Sequence, residues 1–459
     1  MRERRVERAL AVLTAALLVV SAGAVVATPG DSAEVGQTLS FDAPVPSEYN
    51  FAPPPQAGSV TVDDQRYDTL DAALDAATAG DTLRVFGTVE GPVTVDTAGV
   101  TITGSAPSKA VITGDGEETV LTVNASNVTI RNVWVRNAGY STADNDAAVW
   151  LDGANPTVAS VRVTNTTFGI WVDGATSATV RDSTIVGRES IDRLSDRGNG
   201  IQLWEAHDAV VANNTITDVR DGIYFSWSSS VVARNNTMWD LRYGVHYMYS
   251  DDNRLANNTA FNNDVGYALM LSDRLTIVNN TAVNNTGSSG HGILVKSIDH
   301  TRIAGNNLVG NDNGLFVYNS LDNTIAGNLV LGNDVGIHLT AGSVRERGYG
   351  NSFIRNGNAM KAVIGKQVAW NASDGGNYWA DANTVDIDHD GISDVRYQAA
   401  SVLDRITRRH PTTEVFASSP AFDTVRLASR SVPLVETPGV VDHHPLATPP
   451  HDNWRRYYE

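Results

Sequence analysis

Between residues 200 and 351, apolar and polar positions alternate in short runs that restart at regular intervals. Glycines open the runs at Gly200, Gly222, Gly244, Gly266, Gly292, Gly314 and Gly336, in steps of 22 residues with one step of 26. One and three places on stand Ile223/Phe225, Val245/Tyr247, Tyr267/Leu269, Ile293/Val295, Leu315/Val317 and Ile337/Leu339. Alternation with period two predicts a strand with one buried face. A second apolar column falls eleven places after the glycines (Val211, Leu255, Ile277, Ile303, Ile325), and a third falls sixteen after (Ile216, Met238, Leu308, Val330). Three short strands per repeat predict an all-β fold, a right-handed single-stranded parallel β-helix of 22-residue coils stacked about 4.8 Å apart. Asn214, Asn236, Asn258, Asn280, Asn306 and Asn328 form a further column, expected as an inward ladder bonding coil to coil. The glycines are expected to supply turns with φ > 0.

The flanks depart from this pattern. Residues 1–8 carry Arg2, Arg4, Arg5 and Arg8, and residues 9–27 are apolar and small. That is the pattern of an export signal or, if uncleaved, of an N-terminal anchor. Either places the body of the chain outside the cytoplasmic membrane. Residues 28–57 read as a proline-rich linker. Residues 67–78 read as a short helix, with Asp68 as N-cap and Leu70, Ala73, Leu74 and Ala77 on one face, covering the open end of a solenoid spanning residues 58–360. The Gly169 coil joins the series, with extra residues near 188–197 and 284–291 that read as loops. Residues 361–459 lose the period and form an irregular C-terminal region.

Charge narrows the function. With 34 basic and 52 acidic residues the net charge is −18, which argues against a general nucleic-acid or anionic-membrane binder. Such acidity suits a high-salt habitat. Cysteine is absent, so there is no disulfide and no thiolate metal site. Asn-x-Ser/Thr recurs at Asn213, Asn235, Asn257, Asn279 and Asn371; these read first as products of the asparagine repeat and second as glycan acceptors.

The outward positions of the glycine-led strands carry the candidate chemistry. Trp171, Trp204, Tyr224, Phe316, Tyr318 and His338 lie two or four places after a glycine and are expected to form an exposed stripe that docks another protein or stacks on sugar rings. His246, Met248 and Met270 share this face, the two methionines 22 residues apart and so on adjacent coils. Two thioethers and an imidazole without thiolate suit Cu(I) better than zinc or magnesium. Carboxylates are poorly placed for catalysis: Asp173 and Glu205 sit in offset coils, and a glycan-cleaving site needs a cluster. Residues 386–397 resemble an EF-hand-type calcium loop, with Asp386, Asp388, Asp390 and Asp394 as oxygen donors and Gly391 at the turn. Tyr397 stands where a bidentate Glu belongs.

Several runs resemble the NosD family. They are Arg197-Gly-Asn-Gly-Ile-Gln-Leu-Trp204, Arg220-Asp-Gly-Ile-Tyr224, Arg242-Tyr-Gly-Val-His-Tyr-Met-Tyr-Ser250, Gly266-Tyr-Ala-Leu-Met-Leu-Ser272, Gly336-Ile-His-Leu-Thr-Ala-Gly-Ser343, Gly376-Asn-Tyr-Trp379 and Val441-Asp-His-His-Pro-Leu446. The resemblance covers about residues 60–446. It implies an exported, non-enzymatic β-helical accessory protein of nitrous-oxide reductase maturation. Such a protein docks on an ABC-type permease with its ATPase and helps supply copper or sulfur to the reductase's copper centres. A copper chaperone is implied as a second partner, and the acidity suggests a haloarchaeal member. The alternative is a secreted β-helix that binds or modifies polysaccharide.

Overall fold

The computed structural model describes residues 39–45, 57–188, 190–340, 342–364, 366–373, 375–399, 419–420 and 439–458. The expected export signal or anchor, most of the linker and much of the C-terminal tail lie outside the described residues. The period-two columns become a parallel β-solenoid. Twelve strands, from Val93–Val95 to Asn358–Ala362, stack into one face that includes every glycine-led strand. The second face runs from Thr101–Thr103 to Arg347–Tyr349, and the third from Ala110–Thr113 to Ser352–Ile354. The long strand Thr82–Glu90 turns the first corner, pairing through Thr82 to Arg84 with the second face and through Gly87 to Glu90 with the third.

All three apolar columns point inward. Ile223, Val245, Val211, Ile277, Ile216 and Leu308 are fully or almost fully buried. The core is therefore one continuous apolar column whose coils each bury their neighbours, so coils rather than domains are the unit of growth.

The glycines do a different job from the one expected. None of the seven opening glycines has a positive φ. Instead, a Cβ on Gly200, Gly222, Gly244, Gly266, Gly292 or Gly314 would stand 2.5–2.8 Å from the carbonyl oxygen of the next glycine in the column. The column is glycine because stacked backbones approach too closely there for any side chain. The left-handed corners are taken by Asn213, Asp218, Asn235, Asp240, Asn257 and Asn262, residues that tolerate that region.

The asparagine ladder forms as expected. Asn214, Asn236, Asn258, Asn280, Asn306, Asn328, Asn351 and Asn377 are linked side chain to side chain. A second ladder, Asn263 to Asn285, Asn311, Asn333 and Asn356, runs along another corner. The sequon asparagines are their exposed neighbours: Asn213, Asn235, Asn257 and Asn279 sit at left-handed corners.

The N-terminal helix is Leu70–Ala76, shorter than expected. Thr69, not Asp68, is its N-cap, because the Thr69 hydroxyl accepts the Ala72 N–H at 3.2 Å. Leu70, Ala73 and Leu74 pack on the core. Leu39, Phe41 and Ala43, expected within a linker, lie on the outside of the third face against Phe261 and Val309, together with Trp454 and Tyr457 from the C-terminus. Trp370 and Trp379 close the C-terminal end, Trp379 stacked between Phe353 and Tyr397.

Candidate functional site

The site is built on three consecutive strands of the first face: Asp221–Ser226, Tyr243–Met248 and Val265–Asp273. Their register places Tyr224 beside His246 and Ala268, and Ser226 beside Met248 and Met270. His246, Met248 and Met270 thus share one outward face on two adjacent coils, as the spacing predicts.

His246 is not on open surface, however. It is only 7% exposed, sunk between Tyr224 and Tyr243, whose ring centroids lie 4.5 and 5.0 Å away, edge to face. Its Nδ1 lies 3.0 Å from Oδ2 of Asp221, a fully buried carboxylate that also accepts two bonds from Arg242. Burial by itself would push the Asp221 carboxyl up, but the bonds from His246 and Arg242 outweigh it and hold the group below its ordinary range. An ionised carboxylate only accepts, so Nδ1 of His246 donates and, in the neutral ring, Nε2 carries the lone pair. That Nε2 is buried and has no hydrogen-bond partner. A histidine anchored through one nitrogen by a carboxylate, with the other free, is the arrangement of a metal-ligating imidazole. The donor set therefore fits a soft cation: an imidazole with an unpartnered Nε2 and two half-buried thioethers on the same outward face. Asp221 and Arg242 are absent from the residues singled out in the sequence. The only sequence signal for them is their place in the Arg220-Asp-Gly and Arg242-Tyr-Gly runs.

The expected aromatic stripe is broken up. Trp171 is 7% exposed and stacks on Trp150 at 4.9 Å, so it is a packing residue. Tyr224, Phe316 and His338 are half-buried. Phe316 packs with Leu294, Ala268 and Val265 and lies between His291 and His338. Burial pushes the His291 imidazole down to about 4, so it is neutral at pH 7. Trp204 and Tyr318 do face solvent.

The most exposed rings of this face are one residue further along, at its corner. Trp227, Tyr249 and Leu271 occupy the same position in successive coils, 53%, 45% and 37% exposed. All three have left-handed backbones, with φ of 52°, 51° and 50°. Other coils place Gly174, Glu205, Ser297 or Asn319 there. Bulky residues in that region cost roughly 1–2 kcal/mol each. Trp227 and Tyr249 stack at 4.6 Å.

In the acidic loop, ligand oxygens of Asp386, Asp388 and Asp390 come within 4.8 Å of one another. Asp394 turns aside to accept the Ile387 N–H at 2.9 Å, and Asp386 accepts the Gly391 N–H at 3.0 Å. Tyr397 is buried and donates to Asp381, so it closes the core and offers no ligand to the loop.

Comparison with known proteins places the chain in a family. Residues 182–384 match the family model described as periplasmic copper-binding protein (NosD), and residues 75–273 match a family of unknown function, DUF1565. A protein of Pseudomonas aeruginosa named probable ABC transporter binding protein NosD is 37% identical over 358 residues, covering 74% of this chain and 82% of that protein. A protein of the same name from Stutzerimonas stutzeri is 36% identical over 110 residues, 24% of this chain and 25% of that one. Among solved structures, the A-module of mannuronan C-5 epimerase AlgE6 from Azotobacter vinelandii superposes with a TM-score of 0.53 at 16% identity, covering 64% of this chain and 89% of that module. That likeness shows the fold alone. The identity to the Pseudomonas protein across most of both sequences shows that this chain belongs to the NosD family.

Proposed function

We propose that this protein is a non-enzymatic, exported copper-handling accessory of nitrous-oxide reductase maturation, working with an ABC-type permease and its ATPase. One observation carries the reading: Nε2 of His246 is buried without a partner while Nδ1 is fixed on Asp221. His246, Met248 and Met270 take Cu(I) as cargo in transit. Asp221 and Arg242 hold the imidazole in its ligating tautomer, and Tyr224 and Tyr243 keep water from it. Three donors leave a coordination position through which a copper chaperone hands over the ion and the reductase receives it. The corner formed by Trp204, Trp227, Tyr249, Leu271 and Tyr318, rather than Trp171, Tyr224 and Phe316, seats a partner, because those rings are exposed. Exposed Trp and Tyr are the residues in which binding energy concentrates. The family's names support copper and a transporter association.

The test is an anaerobic Cu(I) titration against a chromogenic competitor. Met248→Leu with Met270→Leu conserves volume, so the melting temperature should stay put while Cu(I) affinity falls at least tenfold. In cells that variant should still be exported and still dock, yet leave the reductase short of copper. Undiminished affinity in the double variant would remove these residues from copper handling.

A further inference from the structure

One face of the solenoid reverses the charge of the rest of the chain. Along the outward columns of the second face stand Arg84, Arg131, Arg181 and Arg234, each separated from the next by one intervening coil with Thr103, Ala159 or Ala212 between them. In the very next coil the row shifts to the neighbouring column, where a second set, Arg254, Arg302 and Arg347, alternates with Thr276 and Thr324. The two-coil spacing thus holds within each set and slips by one coil between Arg234 and Arg254. All seven are exposed, and neither column holds an Asp or Glu. Arg181 pairs with Asp182. Among the described residues the other six form no ion pair, whereas Arg197, Arg220, Arg242, Arg274 and Arg345 all do. Asp182 and Asp322 at the flanking corners interact electrostatically with Arg234 and Arg347, yet in a chain of net charge −18 seven exposed arginines filed along one sheet are a localised exception. Screening within about 8 Å at physiological salt lets such a strip act apart from the molecule's net charge.

We infer that this strip binds a linear anionic polysaccharide of the uronate type. This inference is independent of the copper reading, since the strip lies on the second face and the His246 cluster on the first. Two coil steps span roughly 9.6 Å, and the whole file from Arg84 to Arg347 roughly 50 Å. A guanidinium takes a carboxylate through two parallel bonds. A hexuronate chain with a two-fold screw turns one carboxylate per disaccharide to the same side, a repeat close to two coils. An extended acidic peptide repeats on one face at roughly 6.8 Å and falls out of step. The floor between the arginines also suits a sugar. Thr276 and Thr324 offer hydroxyls, Ala256, Val278 and Ala304 form a small apolar cluster, and Gly305 and Gly327 open a groove of about 670 Å³ beside Arg254 and Arg302. The role of such binding is retention, holding an exported protein at an anionic glycan.

The probe is a polygalacturonate fragment of about sixteen sugars, compared with poly-L-glutamate of equal charge and with neutral dextran, using the full chain in 50 and 300 mM salt. The expected result is polygalacturonate binding that weakens with salt, tighter than poly-L-glutamate, and no dextran binding. Arg131→Ser, Arg181→Ser and Arg234→Ser together should weaken it at least tenfold with an unchanged melting temperature. A control removing three exposed cations off the strip, Arg193→Ser in the 188–197 loop and Lys296→Ser and Lys361→Ser on the first face, should change affinity less than twofold. Equal loss in both variants, tighter binding of poly-L-glutamate, or no binding in low salt overturns the proposal.

Discussion

Asn257 and Asn258 are adjacent in sequence and opposite in consequence. Asn258 is buried in the ladder. Its Oδ1 accepts both the backbone N–H and the Nδ2 of Asn236, at 3.0 and 2.9 Å. Its Nδ2 donates to the Ala233 carbonyl and to Oδ1 of Asn280, at 3.0 and 2.9 Å. Replacing it with Ala removes all four bonds. The Nδ2 of Asn236 keeps the Val211 carbonyl, and Oδ1 of Asn280 keeps the Asn258 N–H. The Asn236 N–H and the Ala233 carbonyl lose a buried partner. At roughly 1–3 kcal/mol for each such group, Asn258→Ala should cost about 2–6 kcal/mol.

Asn257 is exposed with φ of 56°. Glycine takes that conformation freely, so Asn257→Gly should shift stability by no more than a few tenths of a kcal/mol. Urea denaturation followed by circular dichroism gives both midpoints, and amide exchange at Asn236 reports the orphaned N–H directly. Equal losses in the two variants, or exchange at Asn236 unchanged in Asn258→Ala, would refute the claim that the ladder rather than asparagine content holds the coils together.

Deleting one whole unit, residues 222–243, should leave a soluble solenoid because the columns stay in register, whereas deleting half a unit should abolish folding; far-ultraviolet dichroism separates the two. Burial pushes Glu346 up to about 8, so the folded chain keeps a proton that the unfolded chain releases above its ordinary value near 4.5. Stability from this group is complete below about 4.5 and lost as pH rises through 8, and Glu346→Gln should raise the melting temperature at pH 8 but not at pH 4. Asp388→Ala should lower the melting temperature in calcium buffer and leave it unchanged after chelation, since oxygen donors alone select a hard cation; an equal effect in both buffers would mean an ordinary turn.

The repeat was legible because each coil imposes the same steric demands on the same phase. Three apolar columns and one asparagine column sufficed to specify strands, faces and register. The role of the glycines was not legible. A glycine column shows that a side chain is excluded, but not whether the cause is a positive φ or a neighbouring carbonyl, and here it is the carbonyl of the next coil. His246, Met248 and Met270 could be placed on one face from spacing. Asp221 could not, because the position before each glycine has no recurring type: Phe168, Asn199, Asp221, Tyr243, Val265 and His291 follow one another there. The net charge also misled by averaging, since it concealed a face with seven arginines and no carboxylate in its outward columns.

Departures from the repeat are informative in a solenoid because the neighbouring coils fix what each position should be. A left-handed corner wants Asn, Asp or Gly, yet Trp227, Tyr249 and Leu271 occupy three such corners in a row. An outward position needs no buried charge, yet Asp221 is fully enclosed there. A buried imidazole should find two partners, yet His246 has one. These departures fall at or within the coils opened by Gly222, Gly244 and Gly266, and stacking of Trp227 on Tyr249 at 4.6 Å offsets only part of the strain, about 0.5–1.5 kcal/mol. Single costs of these kinds occur elsewhere, at left-handed Glu205, Arg274 and His300 and at unpartnered buried atoms of Arg188 and Trp370. Here, however, exposed rings, a buried charge and a half-satisfied imidazole coincide on one face; on the proposed copper-handling reading, one contact with the partner uses them together. Grafting Asn onto Trp227, Tyr249 and Leu271 should therefore stabilise the chain while weakening that contact.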